Sequence, residues 1–479
     1  MTTENATQNP IKTPVLGADL YAQRRAAVAR ALGPRGLAII PTALERQRNR
    51  DSDFLFRADS YFYYLTGFTE PHACLVITGD GRSTLWCQPK DTEREIWDGF
   101  RLGPQAAPAF LGVDAAHPMG SLDTELPKML ENREAVFYPF AIHQGLESRV
   151  AGWLNKVRER VRYGALCPEK QLDLCSILDE MRLIKDAHEQ DTMRRAAQIS
   201  AKAHVRAMQA SAARLRAGQD LREYHLDAEL LHEFRIHGSQ YPAYSSIVAG
   251  GANACVLHYR ADAAPIHDGD LVLIDAGCEL DGYASDITRT FPANGRFTGP
   301  QRAVYDLVLA SQEAAVAATK AGARFTDPHE ATVAVLSQGL LDLGLLDKNK
   351  VGSVQDVIDS RAYFQFYMHR TGHWLGMDVH DCGSYVEPSE LNDPSLVSVR
   401  KDPLSGETIT QRPSRLLRPG MVLTLEPGLY IRPAPGVPEQ FHDIGIRIED
   451  DAIVTATGCE LISRDVPVVA SEIEALMRA

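Results

Sequence analysis

Two acidic residues inside apolar stretches carry the strongest chemical signal in the chain. Asp275 follows the run Leu-Val-Leu-Ile, and Asp286 lies further along, beyond an Asp281-Gly282 pair that predicts a tight hairpin turn. If those two residues form the turn, Asp286 lies opposite Gly277 in the hairpin. Both carboxylates then occupy one sheet face as diagonal neighbours, with backbones roughly 7–8 Å apart. That spacing allows them to share ions.

Two interpretations of this pair are open on the residues alone. A carboxylate in an apolar environment is costly to bury without compensation, and two on one face repel each other. A pair of divalent metal ions would remove both penalties. Alternatively, Asp275 is a capping or turn residue and Asp286 forms an ion pair with the nearby Arg289.

A histidine cluster lies in the segment 368–381, which reads MHRTGHWLGMDVHD. His369, His373 and His380 fall within this short stretch. Gly372 and Gly376 bracket His373, which suggests that the backbone approaches another group closely there. The alternative is that these histidines are ordinary exposed or core residues.

Two glutamates complete the candidate set. Glu426 ends the apolar strand pattern VLTLEP without a local cation, and Glu449 lies in IGIRIEDD. Alternation places Arg447 and Glu449 on one face of that strand, so a surface Arg–Glu pair is the alternative for Glu449.

Together these residues form a hard, oxygen-rich ligand set. Four carboxylates and one imidazole suit Mn²⁺, Mg²⁺ or Co²⁺ better than a structural zinc site, which prefers cysteine and histidine. Four negative charges match two divalent ions, and two such ions can bridge and acidify one water molecule. The candidate ligands are Asp275, Asp286, His373, Glu426 and Glu449.

The surrounding patterns predict two domains after a flexible tail at 1–17. Residues 18–190 alternate short strands with helices, which is typical of an α/β domain. A helical stretch rich in Ala, Arg, Met and Gln begins near Asp186, and we place the boundary there, near residue 190. Residues 191–479 combine helices with hairpins, which predicts an α+β domain that holds the site. The Pro-rich, polar stretch 386–414 is predicted to be a surface insertion.

Composition excludes several classes of function. The 50 Lys and Arg against 63 Asp and Glu give a net charge of −13, and no basic run is present to bind nucleic acid. No apolar run reaches the length of a membrane helix, and the polar N-terminus lacks the pattern of a signal peptide. Eight cysteines without a C-x-x-C pair indicate reduced thiols. We therefore expect a cytoplasmic protein with neither nucleic acid nor membrane as a partner.

The motifs resemble those of the pita-bread metallopeptidases, most closely their aminopeptidase P branch. The strings LIDAG, DITRTFP, HWLGMDVHD, LTLEPGLYI and GIRIEDD occur in the expected order. DSDFLFRADSYFYYLTGFTEP at 51–71 and EIWDGFRLG at 95–103 resemble the N-terminal domain of that branch. The resemblance covers nearly the whole chain. It implies an α/β N-terminal domain followed by an α+β pita-bread catalytic domain.

The resemblance also implies an activity and a set of roles. The expected reaction is hydrolysis of an N-terminal Xaa-Pro peptide bond by a hydroxide that bridges two divalent ions, with Mn²⁺ favoured. Asp275 would chelate one metal, and Asp286 and Glu449 would bridge both. His373 and Glu426 would complete the coordination of the second metal, with Glu426 also acting as general base. The remaining implied residues are His258 and His380 for catalysis, and His369, Arg447, Arg182, Tyr430, Asp59 and Trp97 for substrate binding.

Three further expectations follow from the resemblance. Peptides with proline at the second position are the expected partners, and a homo-oligomer, a dimer or tetramer, would let Asp59 and Trp97 border a neighbouring active site. The 386–414 insertion departs from the family pattern, so Arg400, Arg412 and Arg415 all remain candidates for a substrate-contacting arginine. The alternative functions are a prolidase acting on dipeptides and a metal-free peptide-binding relative.

Overall fold

A computed structural model describes residues 17–260 and 263–478, so most of the tail predicted at 1–17 lies outside the described residues. The chain forms two compact units that divide between Met181 and Arg182. The predicted boundary near residue 190 falls in the first turn of a helix. As a statement about folding domains it stays a prediction.

The first unit is built on one six-stranded mixed sheet. Its strands are β1 (Gly36–Pro41), β2 (Cys74–Thr78), β3 (Ser83–Cys87), β4 (Ala115–Pro118), β5 (Ala135–Tyr138) and β6 (Lys170–Asp173), in the order β4-β3-β2-β1-β5-β6. The β1–β2 and β2–β3 pairs are antiparallel, whereas β3–β4, β1–β5 and β5–β6 are parallel. The helices are α1 (Ala18–Leu32), α2 (Ser60–Thr66), α3 (Thr92–Asp98), α4 (Gly103–Leu111), α5 (Leu122–Leu130) and α6 (Leu146–Arg158). This arrangement confirms the predicted α/β class.

The second unit combines helices with antiparallel strand pairs. After α7 (Cys175–Leu183), its helices are α8 (Ala187–Arg216), α9 (Glu223–Ile236), α10 (Gly299–Ala318), α11 (Asp327–Asp342), α12 (Lys348–Val351), α13 (Val354–Ser360) and α14 (Ala470–Arg478). Its strands are β7 (Tyr241–Pro242), β8 (Ile247–Gly250), β9 (Leu271–Asp275), β10 (Cys278–Leu280), β11 (Tyr283–Ala284), β12 (Thr288–Pro292), β13 (Ser398–Lys401), β14 (Thr408–Gln411), β15 (Val422–Leu425), β16 (Gly428–Ile431), β17 (Ile444–Arg447), β18 (Asp450–Val454) and β19 (Cys459–Leu461). The predicted α+β class is confirmed.

Local hydrogen bonds mark the starts of helices α8 and α11. Asp186 accepts hydrogen bonds from the first-turn amides of α8, and Glu189 returns a bond to the Asp186 amide, which forms a capping box. At the start of α11, Thr326 occupies the cap position, and the Asp327 carboxylate accepts from the Arg324 amide.

The hairpin that carries the two aspartates has the predicted register. Leu280 pairs with Tyr283 across the turn, and the same register continues to Thr288 opposite Asp275. Asp281 and Gly282 both have positive φ, 51° and 83°, as a two-residue turn of this type requires. At the position opposite Asp286, an added Cβ on Gly277 would lie 1.7 Å from the Ser285 carbonyl oxygen. Only glycine lets the two ligand-bearing segments approach this closely.

The 386–414 segment lies largely at the surface of the second unit. Its β13–β14 hairpin is almost wholly exposed, and Arg361 holds it through an ion pair with Asp402 at 2.5 Å. Of the three candidate arginines, Arg415 is buried at 2 % exposure, while Arg400 and Arg412 are exposed. Among the described residues, no helix is both long and apolar enough to cross a membrane.

Candidate active site

The five predicted ligands come together from separate segments of the second unit. Ligand atoms of Asp286, His373 and Glu449 all lie within 4.8 Å of one another. The His373 Nε2 is also 3.9 Å from Glu426 Oε1. Asp275 joins the group because one tyrosine hydroxyl contacts both Asp275 and Asp286. Residues distant in sequence thus form one cluster.

Tyr244 connects the two aspartates. Its hydroxyl oxygen lies 2.5 Å from Asp275 Oδ1 and 2.5 Å from Asp286 Oδ1, and its single proton can be donated to one of them at a time. No sequence pattern predicts this residue as part of the site. Tyr244 lies in a segment between α9 and β8 that has no motif of its own, and only its place in the fold reveals the contact.

His373 presents one ring nitrogen to the carboxylates. Its Nδ1 lies 2.9 Å from the Trp374 carbonyl, which can only accept, so Nδ1 carries the proton and Nε2 faces Asp286 Oδ2 at 3.4 Å. An added Cβ on Gly372 would lie 2.0 Å from the Thr424 carbonyl oxygen, which confirms the close approach expected beside His373.

The electrostatics of the cluster fit divalent cations. Burial and the neighbouring carboxylates raise the pKa of Glu449 well above its usual value. Burial likewise raises the pKa of Glu426 to about 7, although His373 and Arg447 oppose the rise. Burial alone lowers the pKa of His373, but Asp286 and Glu426 outweigh it and raise the value to about 9. The site therefore favours added positive charge, and its oxygen-rich donor set suits hard divalent ions.

Arg447 links the ligands to the residues around them. Its guanidinium donates to Asp275 Oδ2 at 2.6 Å, to Thr288 Oγ1 at 3.1 Å and to the Tyr430 hydroxyl at 2.8 Å. Thr288 in turn donates to Glu449 Oε2 at 2.7 Å. The alternative of a surface pair between Arg447 and Glu449 is wrong, because both side chains are buried and Arg447 bonds Asp275.

Arg289 has a partner other than the one the local sequence suggests. Its guanidinium bonds Asp450 at 2.7 Å and the Glu449 carbonyl at 2.6 Å, and all three residues are buried. The alternative of an Asp286–Arg289 ion pair is therefore wrong. The buried Arg289 instead fixes the backbone of the strand segment that carries Glu449.

His369 is held at both ring nitrogens. Nδ1 donates to the Arg370 carbonyl at 2.7 Å, so Nε2 accepts from the Tyr430 hydroxyl at 2.9 Å. Burial and the positive charge of Arg447 lower the pKa of His369 to about 3, so the ring is neutral near pH 7.

The two predicted catalytic histidines lie beside this cluster. The ring centroid of His380 is 4.1 Å from that of His373, and burial and the charge of His373 lower the pKa of His380. His258 is exposed and lies within electrostatic range of both His369 and His380. The structure thus packs His380 against a proposed ligand and leaves His258 near the two other histidines.

Arg182 anchors the loop that carries His380. It is 2 % exposed and bonds Asp381 at 2.6 Å and Asp378 at 2.8 Å, while Lys185 bonds the same Asp381 at 2.8 Å. A Cβ on Gly376 would lie 2.2 Å from the Asp381 carboxylate, so the loop is closely packed.

Asp59 and Trp97 belong to the first unit. The Asp59 carboxylate caps α2 by accepting from the Phe62 amide, and it lies 3.6 Å from His143. Trp97 is 85 % exposed on α3, a helix without buried residues. Asp59 therefore has a structural role as the cap of α2. The packing of α3 gives no structural reason for an exposed tryptophan at position 97.

The buried carboxylates and the histidine, brought together in an α+β unit, form a donor set suited to divalent metal ions. Residues 191–456 match metallopeptidase family M24, and residues 21–138 match the aminopeptidase P N-terminal domain. The chain belongs to metallopeptidase family M24.

Similar proteins span almost the entire chain. It is 41 % identical to the Xaa-Pro aminopeptidase of Escherichia coli K12 over 96 % of this chain and 97 % of that protein. The identity to the Xaa-Pro aminopeptidase of Haemophilus influenzae is 39 %, over 95 % and 96 % of the two chains. The solved structure of aminopeptidase PepP from Pseudomonas aeruginosa matches with a TM-score of 0.88 and 45 % identity, over 97 % of this chain and 98 % of that one. An E. coli aminopeptidase P variant solved in complex with substrate matches with a TM-score of 0.87 at 40 % identity, over 97 % and 98 %.

We expect Tyr244→Phe to weaken metal binding by about ten- to a hundredfold, because it removes a hydroxyl that orients two ligands. Metal affinity is measured by competition with a chelator. Tyr305→Phe is the matched control, since it removes a buried hydroxyl that donates to the Val468 carbonyl and to none of the five proposed ligands. Equal affinity in the Tyr244 and Tyr305 variants would contradict the proposed role.

Proposed function

We propose that this protein is a metallo-aminopeptidase that hydrolyses the bond before a proline at the second position and releases the N-terminal residue. The observation that carries the proposal is the convergence of Asp275, Asp286, His373, Glu426 and Glu449 in one buried cluster. Relatives named Xaa-Pro aminopeptidase, similar over at least 95 % of the chain, support the proline requirement.

The five residues are the proposed ligands of two divalent ions, with Mn²⁺ as the proposed pair. Asp275 would bind one ion, Asp286 and Glu449 would bridge both, and His373 and Glu426 would complete the other. When bound, such ions would polarise a carbonyl and lower the pKa of a water molecule. Hard oxygen donors favour Mn²⁺ over softer ions.

Glu426 is the proposed general base. Its side chain is 19 % exposed, compared with 13 % for Asp275 and 6 % for Asp286, so it is the most accessible of these three carboxylates. It would take the proton of the attacking water and deliver it to the leaving amine. His380 and His258, beside the cluster, would donate hydrogen bonds to the oxygen on which charge develops.

His369 is better suited to packing against a ligand than to donating a hydrogen bond to it. Both ring nitrogens are already engaged, by Arg370 and Tyr430, so the neutral imidazole can present its carbon edge or face to a ligand. A proline ring, which lacks an amide proton, suits such a surface. We therefore assign His369, with Tyr430 and Arg447 fixing it, to the proline side of the site.

Peptide length and sequence together test this function. We expect turnover of Xaa-Pro-Yaa tripeptides with added Mn²⁺, and little turnover of matched Xaa-Ala-Yaa peptides. Release of the free N-terminal amino acid is followed by chromatography. Cleavage of Xaa-Pro dipeptides alone would indicate a prolidase. No cleavage of either peptide by the metal-loaded protein would favour a non-catalytic relative.

The division of roles between the two stacked histidines gives a second prediction. His373→Ala should lower metal content, because the imidazole is a proposed ligand. His380→Ala should keep its metal and lose kcat by about a hundredfold or more, as expected for one electrostatic stabiliser. Elemental analysis and steady-state kinetics are compared on the same samples. Equal metal loss in both variants would refute the division.

We also propose a cytoplasmic homo-oligomer with its domain boundary near residue 190. All eight cysteines are free in the structure, which fits a reducing compartment. Ile96 and Trp97, 81 % and 85 % exposed on α3, form an apolar pair of the kind that interfaces cover. Trp97 would border a neighbouring subunit's active site. Asp59 would do the same, an assignment that rests on the family resemblance alone.

Trp97→Ala should shift the protein towards smaller species and raise KM if Trp97 contacts a partner. Light scattering coupled to gel filtration gives the oligomeric state, and kinetics give KM. Tyr163→Ala is the matched control, because Tyr163 is 87 % exposed in the same unit. A monomeric parent protein, or identical behaviour of both variants, would reject the contact.

A further inference from the structure

A chain of three polar side chains runs from helix α11 into the segment that carries the clustered histidines. The Tyr367 hydroxyl lies 2.6 Å from Thr371 Oγ1, which lies 2.9 Å from His329 Nδ1. Tyr367 is fully buried and Thr371 is 2 % exposed. Buried polar groups are retained only where their hydrogen bonds are satisfied, so this chain needs a defined proton arrangement.

The direction of the donors follows from burial. Among the described residues, Thr371 is the only hydrogen-bond partner of the Tyr367 hydroxyl, so accepting from Thr371 would leave the buried Tyr367 proton unsatisfied. Tyr367 therefore donates to Thr371, and Thr371 donates to His329 Nδ1. Burial, with help from Arg370 and Arg361, lowers the pKa of His329 to about 4, so the ring is neutral and its one proton is on Nε2.

The chain is joined to the active site at two points. The Thr371 carbonyl accepts from the Glu426 amide at 2.8 Å, which ties Thr371 to the proposed general base. The Tyr367 ring packs edge-on against His369, with centroids 4.9 Å apart at 76°. Rotation of Tyr367 or a shift of Thr371 would therefore move the imidazole assigned to the proline side of the site.

We propose that His329, Thr371 and Tyr367 form a hydrogen-bonded relay that positions His369, and that His329 in α11 is a positioning residue for recognition of the substrate proline. The relay lies behind the site, and none of its three members belongs to the proposed ligand set. The effect of the relay on proline recognition rests on the proposed function. The position of each proton along the relay does not depend on that function.

Kinetics test the first part of the proposal. Tyr367→Phe and Thr371→Val each remove one hydroxyl and preserve shape. We expect both to lower kcat/KM for an Xaa-Pro-Yaa tripeptide by about tenfold or more, mainly through KM, with metal content unchanged. Tyr305→Phe loses a buried hydroxyl elsewhere and should keep the parent KM. Parent-like KM in the two relay variants, or an equal loss in Tyr305→Phe, would overturn the proposal.

Histidine NMR tests the second part independently of activity. In ¹⁵N-histidine-labelled, Zn²⁺-loaded protein, with His329 assigned through His329→Gln, we expect the proton on Nε2 and a hydrogen-bonded, unprotonated Nδ1. Thr371→Val should change the His329 nitrogen shifts, and Tyr367→Phe should also move those of His369. A proton on Nδ1, or His369 shifts unaffected by Tyr367→Phe, would overturn the relay. If the parent cleaves no Xaa-Pro peptide, the proposed function fails while these spectra still decide the relay.

Discussion

The mutual repulsion of buried carboxylates is the constraint on which this structure depends. Burial and the neighbouring carboxylates raise the pKa values of Asp275, Glu426 and Glu449, whereas contacts with His373 and Tyr244 lower that of Asp286. Arg447 supplies one permanent charge within the cluster, bonded to Asp275. One arginine cannot balance four carboxylates, so the fold stores an unfavourable charge distribution that divalent ions relieve.

The scaffold withstands this repulsion because the backbone of each ligand segment is fixed from behind. The Glu449 carbonyl accepts from buried Arg289, and the Asp286 amide donates to the buried Asp451 carboxylate. Arg182 and Lys185 both bind Asp381, next to His380. These buried ion pairs contribute specificity of position more than stability, because each must offset the desolvation of its own charges.

The histidines show how hydrogen bonding divides one residue type into several roles. His373 donates through Nδ1 to a carbonyl and turns Nε2 to the carboxylates, as a ligand must. His369 has both nitrogens engaged, so it offers shape and little polarity. The same type of side chain is thus a proposed metal ligand at one position and a proposed packing surface at another.

Local sequence patterns were enough to predict the candidate ligands, the two fold classes and much of the local structure. The Asp281-Gly282 turn and its register, and the capped start of α8, follow from interactions between residues close along the chain. Which charges meet depends on the tertiary packing. Arg289 bonds Asp450 and the Glu449 carbonyl instead of Asp286, Arg447 bonds Asp275 instead of Glu449, and Tyr244 joins two aspartates from a segment without a motif. The pairing of distant charges depends on how strands and helices pack, and no local pattern records that choice.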